Sequence, residues 1–495
     1  MIRIKIIGKD ITRIIESAEG PSLRDILKNN GFNIYAPCGG KGKCGKCSVK
    51  VTGQGELISC QYYPKENIEV ILPAEDEANI LVKQTEYLED LDFRISRSEY
   101  SGSNPYGVAI DVGTTTLAFY FLSLVRGKLE KISSVLNPQR LFGSDVISRI
   151  NYCQENENGL SELQNSVISC INDVLNKFVS ERDLVPDNIG KIVITGNTTM
   201  LHIILGEDPL PLALAPFKPE FTEKQIRKGH ESGLNINAKA DIITLPCLAA
   251  FVGADIIAGL AVLKPLFRNY LFLDIGTNGE MALGKGGKIY TCATAAGPAF
   301  EGATISCGMA AVNGAISHFL APGNFQVIGN REPLGICGSG IVDIVAYLLM
   351  NDLIDETGLL KSSFVISAEN NIEVTQQDIR EIQLAKSAIY SGIRILMNEA
   401  GLSFSDIDAL YLAGGFGNYI NIKSAIQTGL LPYEMKERIY PVGNSAGIGA
   451  LQYLKTDEFE NRINETLQNS IYIELSSVSE FPDEFALNMN FVKLQ

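Results

Sequence analysis

Val108-Ala109-Ile110-Asp111-Val112-Gly113-Thr114-Thr115-Thr116 is an apolar strand that delivers an aspartate into a Gly-Thr turn. The pattern returns 163 positions later (274 minus 111) as Leu271-Phe272-Leu273-Asp274-Ile275-Gly276-Thr277-Asn278-Gly279-Glu280. In both copies a hydrophobic strand ends in Asp-x-Gly-Thr and a second strand follows. Two such units at domain-sized spacing predict a duplicated α/β fold whose halves face each other across a cleft. The surroundings agree: further strands are expected over 117–122, 129–135 and 191–195, and helices over 144–156 and 162–182.

Neither turn is a Walker P-loop, because no GxxxxGK[ST] is present. Their chemistry still suits phosphate. Gly113 and Gly276 let backbone N–H groups approach phosphate oxygens, and Thr114, Thr115, Thr277 and Asn278 offer further donors. Asp111 and Asp274 can hold Mg²⁺ through water. Leu412-Ala413-Gly414-Gly415-Phe416-Gly417-Asn418 ends a strand and presents Gly414, Gly415 and Gly417 as a flat surface for a nucleoside. Gly338-Ser339-Gly340 opens a helix whose N-terminus can meet phosphate. Any one of these turns is as readily an ordinary glycine hairpin; together with the repeat they predict a nucleotide cleft.

The N-terminal 76 residues read differently. Alternating segments at 3–7 and 12–16 predict a hairpin. Ser22 with Asp25 three residues on starts a helix, and Gly31 stops it. Strands are expected at 48–52 and 68–72, giving the order of an α+β, β-grasp domain. Of ten cysteines, Cys38, Cys44, Cys47 and Cys60 fall within 23 residues, spaced C-x5-C-x2-C-x12-C. Four thiolates in a glycine-rich loop are the ligand set of a [2Fe–2S] cluster, with Gly39, Gly40, Gly42 and Gly45 turning N–H groups towards sulfur. Zinc is the competing reading, but only one C-x2-C is present. Lys41, Lys43, Lys46 and Lys50 line this loop, either as a solvated face or as a docking patch for an acidic partner.

Composition narrows the function. The net charge of −15 argues against nucleic acid as partner. No apolar run spans a membrane and no secretory signal opens the chain, so a cytoplasmic protein without a membrane partner is expected. The acidic stretch after Ala74 and the Ser101-Gly102-Ser103-Asn104-Pro105 segment mark 77–104 as a linker, with a short strand near 93–96. The division is then 1–76, linker 77–104, a first segment 105–200, and the remainder 201–495.

The cysteine spacing resembles plant-type and adrenodoxin-type ferredoxins, with a shorter last gap, as in ferredoxin domains fused to larger redox proteins. The two Asp-turns and the 412–418 segment resemble the phosphate and adenosine segments of the ASKHA superfamily, which includes sugar kinases, the heat-shock chaperone ATPase and actin. That resemblance implies a duplicated, ribonuclease-H-like, actin-like fold with ATP–Mg²⁺ between its halves. Gly338-Ser339-Gly340 falls where the superfamily has a cleft-lining connecting segment. A ferredoxin domain, a linker and an ASKHA domain in one chain resemble the reductive activators of corrinoid-dependent methyltransferases. The stretches 137–150, 196–200 and 296–302 carry that likeness further. It implies ATP-dependent transfer of one electron from the cluster to a Co(II) corrinoid protein, giving Co(I), with an upstream electron donor and a homodimer as an allowed assembly. Cys38, Cys44, Cys47 and Cys60 would hold the cluster, and Asp111 and Asp274 the Mg²⁺. Glu280 and Asp255 are candidates for a general base, and each reads more readily as a structural carboxylate. Alternatives are ATP-dependent electron donation to another low-potential enzyme, as in activators of 2-hydroxyacyl-CoA dehydratases, or a small-molecule kinase with an appended ferredoxin. Cys292, Cys307 and Cys337 lack the close pairing that the dehydratase activators need.

Overall fold

The computed structural model describes residues 1–8, 12–32, 34, 36, 40, 42, 46–72, 106–264 and 266–492. The linker 77–104 and the strand expected near 93–96 lie outside the described residues, as do Cys38 and Cys44.

The N-terminal unit is a five-stranded sheet of β1 (Ile2–Ile7), β2 (Thr12–Ser17), β3 (Ser48–Val51), β4 (Gly55–Ile58) and β5 (Ile68–Ile71), in the order β2-β1-β5-β3-β4. Helix α1 (Leu23–Asn29) covers one face. Its start is the expected reciprocal pair: Asp25 N–H donates to Ser22 Oγ at 3.2 Å, and Ser22 Oγ donates to the Asp25 carboxylate at 2.7 Å. Ile4, Ile6, Leu23, Leu27 and Val70 form a core closed to solvent. The sequence reading did not include β4, whose four residues run from exposed to half-buried without alternation.

Two larger sheets follow. The first uses β6 (Tyr106–Val112), β7 (Thr116–Ser123), β8 (Lys128–Leu136), β9 (Ile189–Gly196), β10 (Gln225–Lys228) and β11 (Asp241–Thr244), ordered β10-β11-β9-β6-β7-β8. Helices α2 (Val146–Glu155), α3 (Gly159–Ser180), α4 (Thr198–Leu205) and α5 (Ala254–Ala261) flank it. This sheet draws strands from both sides of position 200, because α4 carries the chain back to extend it. The second sheet contains β12 (Asn269–Ile275), β13 (Gly279–Lys285) and β14 (Lys288–Thr294), extended by Ala409–Ala413 and Ile439–Gly443 on one side and Ser470–Tyr472 on the other. In each sheet an antiparallel three-strand meander is joined by parallel strands beside its first member. The duplication read from the sequence is therefore built into both topologies.

The halves share a core. Helix Ser445–Lys455 leaves the second sheet and packs on β6, β9 and α5 of the first. Phe272 of β12 and Tyr411 join the first half's cluster of Phe119, Phe121 and Phe178. The N-terminal unit touches both halves: Arg24 donates to the carbonyl of Leu141 at 3.0 Å, and Lys28 to Tyr152 and Glu162 at 2.7 and 3.2 Å. Lys46 reaches the other half, at the carbonyls of Gly302, Ile305 and Gly308. Phe272→Ala, a buried ring lost from the shared cluster, is expected to cost about 3–5 kcal/mol. Urea titration should show the two α/β halves unfolding together at a lower midpoint.

Candidate functional site

The two Asp-turns become hairpins facing one cavity. Asp111 sits near the end of β6, opposite Ala118 of β7; Asp274 sits near the end of β12, opposite Glu280 of β13. Gly113, Thr114, Thr115, Gly276, Thr277 and Asn278 line the cavity between them. Gly338, Ser339, Gly414 and Gly415 complete the predicted wall. Gly340 and Gly417 do not line it. A Cβ on Gly340 would lie 2.2 Å from the Ile316 carbonyl, and one on Gly417 2.8 Å from Leu412, so these two glycines serve helix packing. Gly414 has φ +81° and a Cβ there would meet an Asp274 oxygen at 2.4 Å, whereas Gly415 faces open space. That open, flat edge is what a bound nucleoside requires.

Three asparagines hold the first hairpin, and none stood out as a site residue in the sequence. Asn137, Asn197 and Asn444 are all helix N-caps, each spending its carbonyl oxygen on a helix N–H: Gln139, Met200 and Gly447. Each spends its amide on the hairpin. Asn137 donates to the Gly113 carbonyl at 2.8 Å, Asn197 to Thr114 Oγ1 at 3.0 Å, and Asn444 to Asp111 Oδ2 at 2.8 Å. Buried Arg149 of α2 grips the turn from behind, donating to the carbonyls of Thr114 (2.5 Å) and Gly143 (3.0 Å). The second turn is held by Glu301, which accepts from Thr277 Oγ1 at 2.6 Å.

Five carboxylates crowd this space: Asp111, Asp255, Asp274, Glu280 and Glu301. Asp111, Asp255, Asp274 and Glu301 are half-buried, and the surrounding protein denies these groups bulk solvation. Burial, reinforced by the Asp255 charge, pushes both Asp111 and Asp274 up to about 7. Burial raises Asp255 to about 6, and raises Glu280 far above the carboxylate range with the help of Asp255 and Asp274. Burial raises Glu301 as well, against the pull of the Thr277 hydroxyl. Among the described lining residues there is no Lys or Arg. Such a cleft accepts a polyphosphate only together with a cation. Among the described residues no three acidic, Cys or His side chains converge tightly enough to hold a bare ion. The set therefore fits hydrated Mg²⁺, which keeps several waters and shares phosphate oxygens.

The cluster end is described for two of its four cysteines. Cys47 and Cys60 are both buried, and the Ser59 N–H donates to the Cys47 carbonyl at 2.9 Å, drawing the two segments together. Cys47 is in the thiol form. Cys38 and Cys44 lie outside the described residues, as do Lys41 and Lys43. Lys50 is exposed, but Lys46 turns inward onto the second half and is not part of an open patch. Cys292 and Cys337 are buried singly, and burial pushes the Cys292 thiol far up, as suits a packed thiol.

Three family descriptions match this chain in succession: a 2Fe-2S iron-sulfur cluster binding domain over 5–65, the RACo middle region over 106–264, and the C-terminal ASKHA domain of RACo over 268–495. The corrinoid activation enzyme RamQ of Eubacterium limosum is 30% identical, covering 96% of this chain and 97% of its own. The chain belongs to the RACo family of corrinoid activators. A solved reductive activator for corrinoid, iron-sulfur protein superposes on it with a TM-score of 0.71 at 30% identity, covering 99% of this chain and 98% of that one. The [Co(II) methylated amine-specific corrinoid protein] reductase of Methanosarcina barkeri is 25% identical over 69% of this chain. This RACo-family chain thus carries a [2Fe–2S] domain ahead of an ASKHA domain. No helix among the described residues is long and apolar enough to cross a membrane.

Folding favours the protonated form of Asp111 and Asp274, because their folded values lie above the ordinary aspartate value. Their contribution to stability is therefore full below the ordinary aspartate value and is lost as pH rises from about 4 to about 7. Asp274→Asn removes that penalty. Without metal or nucleotide it should melt several degrees above the parent at about pH 8, with a much smaller difference at about pH 5. Calorimetry at both pH values checks this, and the variant should gain less from added Mg²⁺–ATP.

Proposed function

We propose that this chain reduces the Co(II) corrinoid of a methyltransferase system's corrinoid protein to methyl-accepting Co(I), using ATP–Mg²⁺ held between its two hairpins. The full-length likeness to a corrinoid activation enzyme, cluster domain and cleft included, carries the reading. The balance is one electron: a [2Fe–2S] cluster held by Cys38, Cys44, Cys47 and Cys60 would supply one electron for each Co(II) reduced to Co(I), with an upstream donor as its source.

The step is uphill. Plant-type clusters sit near about −400 mV. A gap of ~100 mV to a harder-to-reduce cobalt corresponds to about 2.3 kcal/mol at 59 mV per tenfold change. Differential binding of the partner, biased by nucleotide, supplies energy of that size. Bound in the cleft, Mg²⁺ neutralises phosphate charge; the rest is done by side chains. Thr114, Thr115, Thr277 and Asn278, with the N–H groups of Gly113 and Gly276, orient the phosphates. Asp111 and Asp274 hold the ion's water, Gly338 and Ser339 close the phosphate end, and Gly414 and Gly415 take the nucleoside.

Of the two candidate general bases, Glu280 is the less suited, because burial and the Asp255 and Asp274 charges push it well above the ordinary carboxylate value. Asp255, raised to about 6, is suited to the task. Cys38, Cys44, Cys47 and Cys60 hold the cluster in the 1–76 domain, tethered by 77–104.

Mixing the reduced protein anaerobically with a Co(II) corrinoid protein should give the Co(I) absorbance only when Mg²⁺–ATP is added. Cys47→Ser should abolish that signal, and Asp255→Asn should lower the ATPase rate by roughly 100-fold. Phosphorylation of a small molecule without Co(I) formation would instead point to the kinase alternative.

A further inference from the structure

We infer that Lys46 is a positioning residue that latches the cluster domain to the nucleotide cleft, and that nucleotide binding releases it. This rests on the cleft binding ATP, as proposed above. The Lys46 ammonium has three donors, and three carbonyls converge on it: Ile305 at 2.7 Å, Gly308 at 2.5 Å and Gly302 at 3.3 Å. All three belong to one loop of the second half, while Lys46 immediately precedes Cys47.

The loop is shaped for this contact. Gly302 has φ +75°, and a Cβ there would lie 2.5 Å from the Met309 amide nitrogen. A Cβ on Gly308 would lie 2.2 Å from the Gly302 carbonyl. Only glycine at both positions lets the two ends approach closely enough to aim their carbonyls at one point. Beyond the cage, Ser306 N–H donates to Asp378 of the helix Gln376–Ala400 at 2.7 Å, which anchors the middle of the loop. The Gly302 N–H donates to the Ala299 carbonyl at 3.0 Å, closing the short Pro298–Glu301 turn that ends in a cleft residue. Glu301 precedes Gly302 directly, and its carboxylate holds the Thr277 hydroxyl at 2.6 Å and engages Thr115 of the opposite hairpin.

A triphosphate seated on these turns needs the same hydroxyls and repels the same carboxylate. Glu301 must yield, and the Gly302 carbonyl moves with it out of the Lys46 cage. The cluster domain has a second set of contacts, Arg24 to Leu141 and Lys28 to Tyr152 and Glu162, which belong to the first half. Release is therefore one-sided. The domain stays on the first half while the face bearing Lys46 and Cys47 becomes open to a partner.

Amine reactivity reads this contact on the intact holoprotein. Brief, substoichiometric treatment with an acetylating reagent under anaerobic conditions, followed by peptide mass spectrometry, scores three lysines of one domain. Lys46 reports the second half, Lys28 the first, and exposed Lys50 is the reference. With Mg²⁺ and a non-hydrolysable ATP analogue, Lys46 labelling should rise about threefold or more while Lys28 and Lys50 stay constant. By reciprocity, Lys46→Gln should bind the analogue about threefold or more tightly, because no latch has to be broken. Saturable analogue binding, measured by calorimetry in the same buffer, combined with unchanged or reduced Lys46 labelling would overturn the latch. Unchanged affinity in the variant, its visible cluster spectrum intact, would do the same. Absence of any analogue binding would overturn the ATP reading itself, and this inference with it.

Discussion

Like charges placed face to face set the terms for this molecule. Duplicating a strand that ends in aspartate puts Asp111 and Asp274 on opposite walls of one cleft, and the β12–β13 register sets Glu280 directly across from Asp274. Like charges directly opposite on a sheet are destabilising, and burial adds to the cost. Burial meets part of that cost by shifting these acids towards their protonated forms. A metal-bound polyphosphate would meet it differently, by bringing cations to a cleft whose described lining residues include no Lys or Arg. The proposed affinity for Mg²⁺–nucleotide and the expected sensitivity of stability to pH then share one origin in this arrangement of acids.

The first hairpin shows how such a strained arrangement is kept in place. Three helices begin around it, and each begins with an asparagine. An asparagine cap has both an acceptor for the helix and a donor to spare. Asn137, Asn197 and Asn444 direct that donor at Gly113, Thr114 and Asp111. Asn444 also opens the helix that crosses from the second sheet to the first. A shift of the halves would therefore act on Asp111 through a single side chain.

What the sequence disclosed follows from the range of each signal. The paired hairpins were legible because strand periodicity and the Asp-x-Gly-Thr turn are local and occur twice. The ferredoxin helix start was legible for the same reason, since Ser22 and Asp25 are one turn apart. The asparagine caps were hidden: a cap is a local signal, but the destination of its second donor is set by tertiary structure. Gly340 and Gly417 carried the look of binding glycines because a glycine needed for packing and one needed for a ligand are identical in sequence. Lys46 looked like part of a surface patch, because its carbonyl cage comes from a loop more than 250 residues away.

The size of that last contact bears on whether a nucleotide can influence an electron. A hydrogen bond involving a charged group contributes about 1.5–3 kcal/mol net, and neutral ones about 1. Three carbonyls sharing one half-buried ammonium, offset by the ordering of a long side chain, leave a docking preference of a few kcal/mol at most. That is the same order as the about 2.3 kcal/mol that separates a ~100 mV uphill transfer from a level one. A far stronger tether would hold the cluster domain shut against any nucleotide, and a far weaker one would leave it free at all times. Ammonium against backbone carbonyl falls between these limits. A Glu or Asp at 302 or 308 would pair Lys46 more tightly, but both positions are restricted to glycine by the closeness of the loop's own backbone. The geometry that forms the cage thus also limits its strength to a range that nucleotide binding can overcome.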